Sequence, residues 1–166
     1  LMQRSTMQEA IAAPKVGGIV RLTFFVLRVT FLIELLGALV MMPTFIHDFG
    51  AKGIWMSFFH SVSAFCNAGF DIMGTEGAKF ASITSYLGNP VINITVMLLI
   101  VIGGIGFLTW EDICTNKLHF KHYRMQSKVV LVTSALLILF PAIFFFFVDF
   151  ADMPMKERVL GSLFQS

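Results

Sequence analysis

The sequence predicts an all-α membrane protein built from span–pore helix–span units. Three observations carry this prediction. The 166 residues are 57% hydrophobic and 13% charged, with a mean hydropathy of +0.82, where a soluble domain carries about a quarter charged residues. Three apolar segments are long enough to cross a bilayer, and a fourth, between the first two, is too short to do so. The order of these segments begins again at an offset of 105 residues.

The charge balance of +2 is too small to suggest a nucleic-acid partner. Cys66 and Cys114 show neither disulfide nor zinc spacing. No signal-peptide pattern opens the chain, which begins with Leu1, so a fragment of a longer chain is expected. Residues 1–17 are mixed and read as a cytoplasmic segment, with a short helix ending before Pro14.

The first span is expected from Ile19 to Met42, with Pro43 ending it. Twenty-four helical residues reach about 36 Å, enough for a tilted crossing. Arg21 and Arg28 lie near one end, where their stems can snorkel. Glu34 sits deeper and reads either as a buried, hydrogen-bonded structural acid or as a residue facing the bundle interior. Residues 44–53 are expected to form a loop.

The short apolar helix covers about residues 54–66 and would be about 20 Å long. Apolar stretches of that length are core or re-entrant segments. It stops at Asn67-Ala68-Gly69-Phe70, and a polar loop follows through Gly74, Thr75, Glu76, Gly77, Lys79 and Gly88-Asn89. Pro90 starts the second span, a charge-free run from Val91 to Trp110 that contains Gly103-Gly104-Ile105-Gly106. These glycines read as close packing sites, with a gate or hinge as the alternative. Trp110 suits the interfacial belt, and Glu111-Asp112 mark the exit. Residues 116–128 form a basic loop, and the third span runs from Val129 to Val148, with Pro141 as a kink.

Basic residues set the orientation. Arg4, Lys15, Arg21, Arg28, Lys117, Lys121, Arg124 and Lys128 fall on one side, and Lys52, Lys79, Lys156 and Arg158 on the other. The richer side, residues 1–17 and 111–128, is expected in the cytoplasm.

Residues 159–166, Val-Leu-Gly-Ser-Leu-Phe-Gln-Ser, echo residues 54–61, Ile-Trp-Met-Ser-Phe-Phe-His-Ser. Ser57/Ser162, Phe59/Phe164 and Ser61/Ser166 are identical, and the span at 24–42 falls on 129–147 at the same offset. Residues 18–115 therefore read as one complete unit, and 129–166 as the first span and the start of the pore helix of another. Such a repeat suits several short helices converging on one axial pore.

A cation crossing a membrane exchanges its water for other oxygens, and an extended backbone can supply them. Non-helical backbone at that depth is tolerated only when it is buried in protein or lines water. The expected filter is 66–70. Cys66, Asn67, Ala68 and Gly69 would act through main-chain oxygens, Gly69 supplying the backbone freedom. Phe70 would anchor the outer end, and Asp71 would raise the local cation concentration at the mouth. The helix ending near Phe65 would aim its negative dipole end at the ion. This is the layout of a pore-loop cation transporter. No arrangement of residues suggests an enzyme. His60 and Cys66, six residues apart, do not share a helix face well, and His119 with His122 has no further ligand, so neither pair reads as a metal site.

The stretch Phe59-His60-Ser61-Val62-Ser63-Ala64-Phe65-Cys66-Asn67-Ala68-Gly69-Phe70-Asp71 resembles the second pore loop of the Ktr-type potassium transporter subunits, within the Trk/Ktr/HKT superfamily. Ile102-Gly103-Gly104-Ile105-Gly106-Phe107 resembles the helix after that loop, and residues 159–166 resemble the start of the third pore helix. The resemblance implies four units around one potassium pathway in the cell membrane, of which this chain is the second with part of the third. It maps the family's filter glycine onto Gly69 and implies K+ at Asn67, Ala68 and Gly69. It also implies that the chain needs the remainder of a longer protein to transport. Potassium is then the substrate, sodium a candidate coupling ion, and no covalently bound cofactor is expected. The implied partners are the lipid bilayer, a second copy in a homodimer, and a cytosolic nucleotide-binding regulatory ring. The alternatives are a sodium-selective or weakly selective relative, and a non-conducting structural or signalling membrane module.

Overall fold

A computed structural model describes residues 19–74, 81–117 and 119–166. The expected segment 1–17 and loop residues Thr75, Glu76, Gly77 and Lys79 lie outside the described residues. The described residues are helical, without strands. In order they form α1 (Ile19–Phe49), α2 (Lys52–Phe65), α3 (Pro90–Gly104), α4 (Phe107–Asn116), α5 (Met125–Phe147) and α6 (Met155–Gln165), with single 3-10 turns at Thr84–Tyr86 and Phe120–His122.

Helices α1 and α5 are long and apolar enough to cross a membrane, and α3 with α4 would make a third crossing if counted as one bent span. The outward faces of α1 and α5 are apolar: Phe24, Phe31 and Leu36 on α1, and Leu137, Phe140 and Phe144 on α5, are all exposed. Continuous apolar surface of this kind suits lipid or further protein rather than water. The protein is therefore an all-α membrane protein.

α1 is 31 residues long, about 46 Å. It does not stop at Pro43, as the sequence suggested, but continues to Phe49. Proline costs a helix one hydrogen bond and a clash with the preceding turn. Here the ring faces outward, whereas Met41 and Phe45, on either side of it, are fully buried. Packing on both sides of the proline keeps the helix going. The expected loop 44–53 shrinks to the turn at Gly50 and Ala51, after which α2 runs back along α1.

α3 begins at Pro90, with Asn89 as its cap: the Asn89 side chain accepts hydrogen bonds from the main-chain nitrogens of Val91 and Ile92. Asparagine before proline is a strong start signal, because both the cap and the missing N–H suit a first turn. The expected unbroken span to Trp110 is a further correction. α3 ends at Gly104, and α4 leaves it at 99°. Gly106 has φ +85°, a value that a right-handed helix cannot contain and that residues other than glycine rarely reach. Trp110 is buried within the chain at 4% exposure. Glu111 and Asp112 lie in the middle of α4.

The core lies where α1, α2 and α3 meet. Met41, Phe45, Met56, Phe65, Ile92, Val96, Leu99 and Trp110 form one buried cluster. α6 packs on α5 and reaches α3, where Phe164 joins the edge of the core. α5 runs through Pro141 without interruption.

The repeat is visible in three dimensions. The Ser57 hydroxyl donates to the Gly53 carbonyl at 2.7 Å, and the Ser162 hydroxyl donates to the Arg158 carbonyl at 2.7 Å. Both pairs stand at the same register of the 105-residue offset, and both serines are buried.

Candidate functional site

The site is built on α2. Gly53, Ser57 and Ser61 recur every four residues, so they form one stripe along the helix. That stripe lets α2 approach α1 closely. A Cβ on Gly53 would lie 2.2 Å from the Phe45 carbonyl oxygen, and a Cβ on Gly37 would lie 2.7 Å from the Ser61 hydroxyl. The Ser61 hydroxyl donates to the Glu34 main-chain carbonyl at 2.6 Å. Glu34 itself is half-buried, and its contact with α2 is through the backbone. Small residues at this spacing are a known signal of close helix packing in membranes, and reading the segment only for its apolar content passes over them.

α2 ends in a Schellman arrangement. The Ala68 nitrogen donates to the Ser63 carbonyl at 2.9 Å, and the Asn67 nitrogen to the Ala64 carbonyl at 3.1 Å. Asn67 takes the left-handed position, φ +52°, which asparagine tolerates better than most residues. Asparagine two residues past the last helical residue is thus the stop signal, and it is legible in the sequence. The Asn67 amide also makes long contacts to the carbonyls of Phe65 (3.5 Å) and Ile100 (3.4 Å).

Gly69 follows with φ +68°. A Cβ there would meet nothing within 4 Å, so within this chain the backbone conformation, not space, calls for glycine. The Ser63 hydroxyl donates to the Phe70 carbonyl at 2.7 Å and ties the segment back to α2. Among the described residues, no hydrogen bond reaches the carbonyl oxygens of Cys66, Asn67, Ala68 or Gly69.

Two hollows flank this segment. One, of about 280 Å³, is bordered by His60, Asn67, Gly69, Asp71 and Phe164. The other, of about 270 Å³, is apolar and bordered by Trp55, Phe58, Val62, Cys66 and Ala68. Asn67 and Gly69 border the first hollow, Cys66 and Ala68 the second, and Phe70 borders both. Asp71 Oδ1 accepts from the Met73 main-chain nitrogen at 3.1 Å, a turn-forming bond two residues along. Phe70 is 71% exposed in this chain and packs little of its ring.

His60 is buried between the Phe45 and Phe59 rings. Its Nδ1 faces the Met56 carbonyl at 2.7 Å, which can only accept, so Nδ1 carries the proton. Cys66 is exposed, and no group of three or more metal-ligating side chains occurs among the described residues.

The inner end of the segment rests on α3 and α4. A Cβ on Gly103 would fall 1.9 Å from the Phe65 carbonyl oxygen, so the two backbones touch. The Phe65 and Trp110 rings lie 5.4 Å apart. The Trp110 Nε1–H donates to the Ile102 carbonyl at 2.8 Å. Of the two roles the sequence leaves open for Gly103, packing or hinge, close packing is the one this contact satisfies; the break belongs to Gly106. Beyond Trp110, Asp112 is buried and accepts from the Ser127 hydroxyl (2.5 Å) and from the Arg124 main-chain nitrogen (3.0 Å), holding α4 to the start of α5.

Residues 1–165 match the family model TrkH, described as cation transport protein. The chain is 34% identical over 169 residues to the potassium/sodium uptake protein NtpJ of Enterococcus hirae, an alignment covering 98% of this chain and 36% of that protein. It is 29% identical over 173 residues to the Ktr system potassium uptake protein B of Bacillus subtilis, covering 100% of this chain and 37% of the relative. The Ktr system potassium uptake protein D of the same organism is 32% identical over 160 residues, covering 90% of this chain and 34% of that protein. The chain therefore spans about a third of the length of the curated relatives it matches.

Proposed function

Because the chain belongs to the TrkH family of cation transport proteins, we propose that it forms one filter-bearing unit, with the start of the next, of a longer membrane transporter that takes up potassium. The observation that carries this reading is the run of four uncommitted main-chain oxygens at Cys66, Asn67, Ala68 and Gly69. All four residues are exposed in this chain, so their oxygens stand open to whatever fills the space beside them. A desolvated cation is the partner that this run suits, because carbonyl dipoles replace its hydration shell. Left-handed backbone at the alternate residues Asn67 and Gly69 supports it further. An unbroken extended chain sends successive carbonyls to opposite sides; left-handed residues between them turn carbonyls towards a common side. The end of α2 adds the negative pole of a helix dipole at the start of the run.

On this reading K+ sits against Asn67, Ala68 and Gly69, Phe70 seats against neighbouring units of the complete protein, and Asp71 serves the mouth through its second carboxylate oxygen. The transporter is a homodimer in the cell membrane and crosses it several times, with residues 111–128 in the cytoplasm facing a regulatory ring. The Ktr system names of two relatives support a multi-component assembly.

A second reading is uptake of sodium as well as potassium, either coupled or in competition. The name of the Enterococcus relative, which includes both ions, favours it.

The test is Gly69→Ser in the complete transporter, expressed in cells without other potassium uptake. A left-handed φ at a non-glycine residue costs about 1–2 kcal/mol, so rubidium-tracer uptake should fall about 5- to 30-fold at matched membrane level. Unchanged uptake, with an unchanged potassium-to-sodium ratio, removes the role given to Gly69. Competition by sodium against the tracer in the wild type separates the two ion readings.

A further inference from the structure

We propose that Trp110 is a positioning residue for the filter segment: its indole holds the bend between α3 and α4 closed and braces Phe65, the residue on which the filter starts. This rests on the transport reading above and goes beyond it, to a side chain far along the chain from the filter.

Where α3 ends at Gly104, the carbonyls of its last turn lose the nitrogens that would have followed them. Ile105 still donates to the Val101 carbonyl at 3.1 Å. Ile102 would ordinarily receive the Gly106 nitrogen, but Gly106 has turned away at φ +85°. The Trp110 Nε1–H takes that place at 2.8 Å. One side chain of α4 thus closes the backbone of α3 across a 99° bend.

The same ring is a brace. Trp110 lies 5.4 Å from Phe65 and, edge-on, 5.3 Å from Phe107. Phe65 is the last residue of α2, and its backbone already touches Gly103. Phe65 is therefore held on its main chain by α3 and on its side chain by α4. Cys66, the first of the four free carbonyls, is the next residue. A change in the angle between α3 and α4 must move Trp110, and Phe65 has no slack with which to absorb it: both rings are buried. Close-packed interiors transmit displacements of this kind rather than dissipating them. At its middle, α4 is fixed by Asp112 to Arg124 and Ser127. The path thus runs from the start of α5, through α4, to the filter.

A tryptophan that merely fills the core would lower the amount of folded protein and scale the uptake of every ion alike. A tryptophan that positions the filter changes the ratio between ions, because selectivity depends on where the carbonyls stand. The experiment measures potassium and sodium uptake in competition by the complete transporter, at measured membrane levels. Trp110→Phe keeps a ring against Phe65 and loses the N–H; Trp110→Leu loses both. The expected result is a fall in the potassium-to-sodium ratio of about fivefold for Trp110→Phe, the worth of one net hydrogen bond, and more for Trp110→Leu. Phe65→Leu should shift the ratio in the same direction, and Trp110→Leu added to it should shift it little further, because the two rings act as one contact. Thr115→Ser, an exposed residue further along α4, should leave the ratio at the wild-type value.

Wild-type uptake with an unchanged ratio in both tryptophan variants overturns the inference and leaves the transport reading standing. A wild-type protein that takes up neither ion overturns the transport reading, and this inference with it. If Trp110→Leu fails to reach the membrane, the ratio in Trp110→Phe decides.

Discussion

Gly103→Ala sets two effects against each other. In a helix interior, alanine is favoured over glycine by about 1 kcal/mol, and Gly103 lies inside α3 with an ordinary right-handed φ. Against this, the new Cβ would stand 1.9 Å from the Phe65 carbonyl oxygen and 2.9 Å from its carbon, where ordinary contact begins at 3.4 Å. The helices would have to separate by about 1.5 Å to relieve it. The clashing atoms are backbone, so no rotamer change helps. α2 cannot simply retreat, because Gly53 and Ser61 hold it against α1. Overpacking of this kind costs about 3 kcal/mol at the upper end, so the net loss should be about 2 kcal/mol. The assay is thermal unfolding of the complete transporter in detergent, with the potassium-to-sodium uptake ratio measured alongside. Gly104→Ala is the control: its Cβ would meet only the Asn67 amide nitrogen, at 3.8 Å, so its stability should stay at or slightly above wild type. Gly103→Ala as stable as wild type, or Gly104→Ala equally damaged, would refute the reasoning that backbone contact at Phe65 fixes the start of the proposed filter.

Two further substitutions test the supports of the site. Ser61→Ala removes the hydroxyl bonded to the Glu34 carbonyl, whose oxygen keeps its place in α1; the loss should be about 1 kcal/mol, read as a lower denaturation midpoint of the complete protein. Asp112→Asn weakens a buried charged acceptor that serves the Arg124 main-chain nitrogen and the Ser127 hydroxyl and stands 3.4 Å from the Arg124 side chain. Hydrogen bonds to charged groups are worth about 1.5–3 kcal/mol, so limited proteolysis between α4 and α5 should accelerate; an unchanged cleavage rate would show that Asp112 does not hold the two helices together.

Both supports act on the same short segment from different sides. Ser61 and the small-residue stripe set the depth of α2 against α1. Asp112 and Trp110 set the position of α4 under Phe65. The proposed filter segment has few bonds of its own: the Schellman pair at its start, the long Asn67 amide contacts to Phe65 and Ile100, the Ser63 hydroxyl on Phe70, and the Asp71 turn. Its shape is therefore inherited from the packing beneath it, which is why variants outside it are expected to change ion preference.

Much of this protein follows from the one-dimensional pattern. Apolar runs of spanning length, the short helix between two of them and the 105-residue offset are local properties, because hydropathy and period depend on neighbours a few residues away. The end of α2 belongs here too: asparagine past the last apolar turn is a helix stop written in residue type, and Asn89-Pro90 is a start written the same way. Gly69 could be singled out for the same reason, since few residues take its backbone angle. Tertiary packing decided the rest. Pro43 is a break by its own chemistry, and only the buried Met41 and Phe45 on either side of it carry α1 through. Nothing in the residue type of Trp110 names Phe65 as its neighbour; the 99° turn at Gly106 buries it there. Asp112 shows no partner along the sequence until Arg124 and Ser127, twelve and fifteen residues on, arrive beside it. Each of these depends on a contact between residues distant along the chain. The free energy of such a contact exceeds local preference, and the period of a sequence holds no record of it.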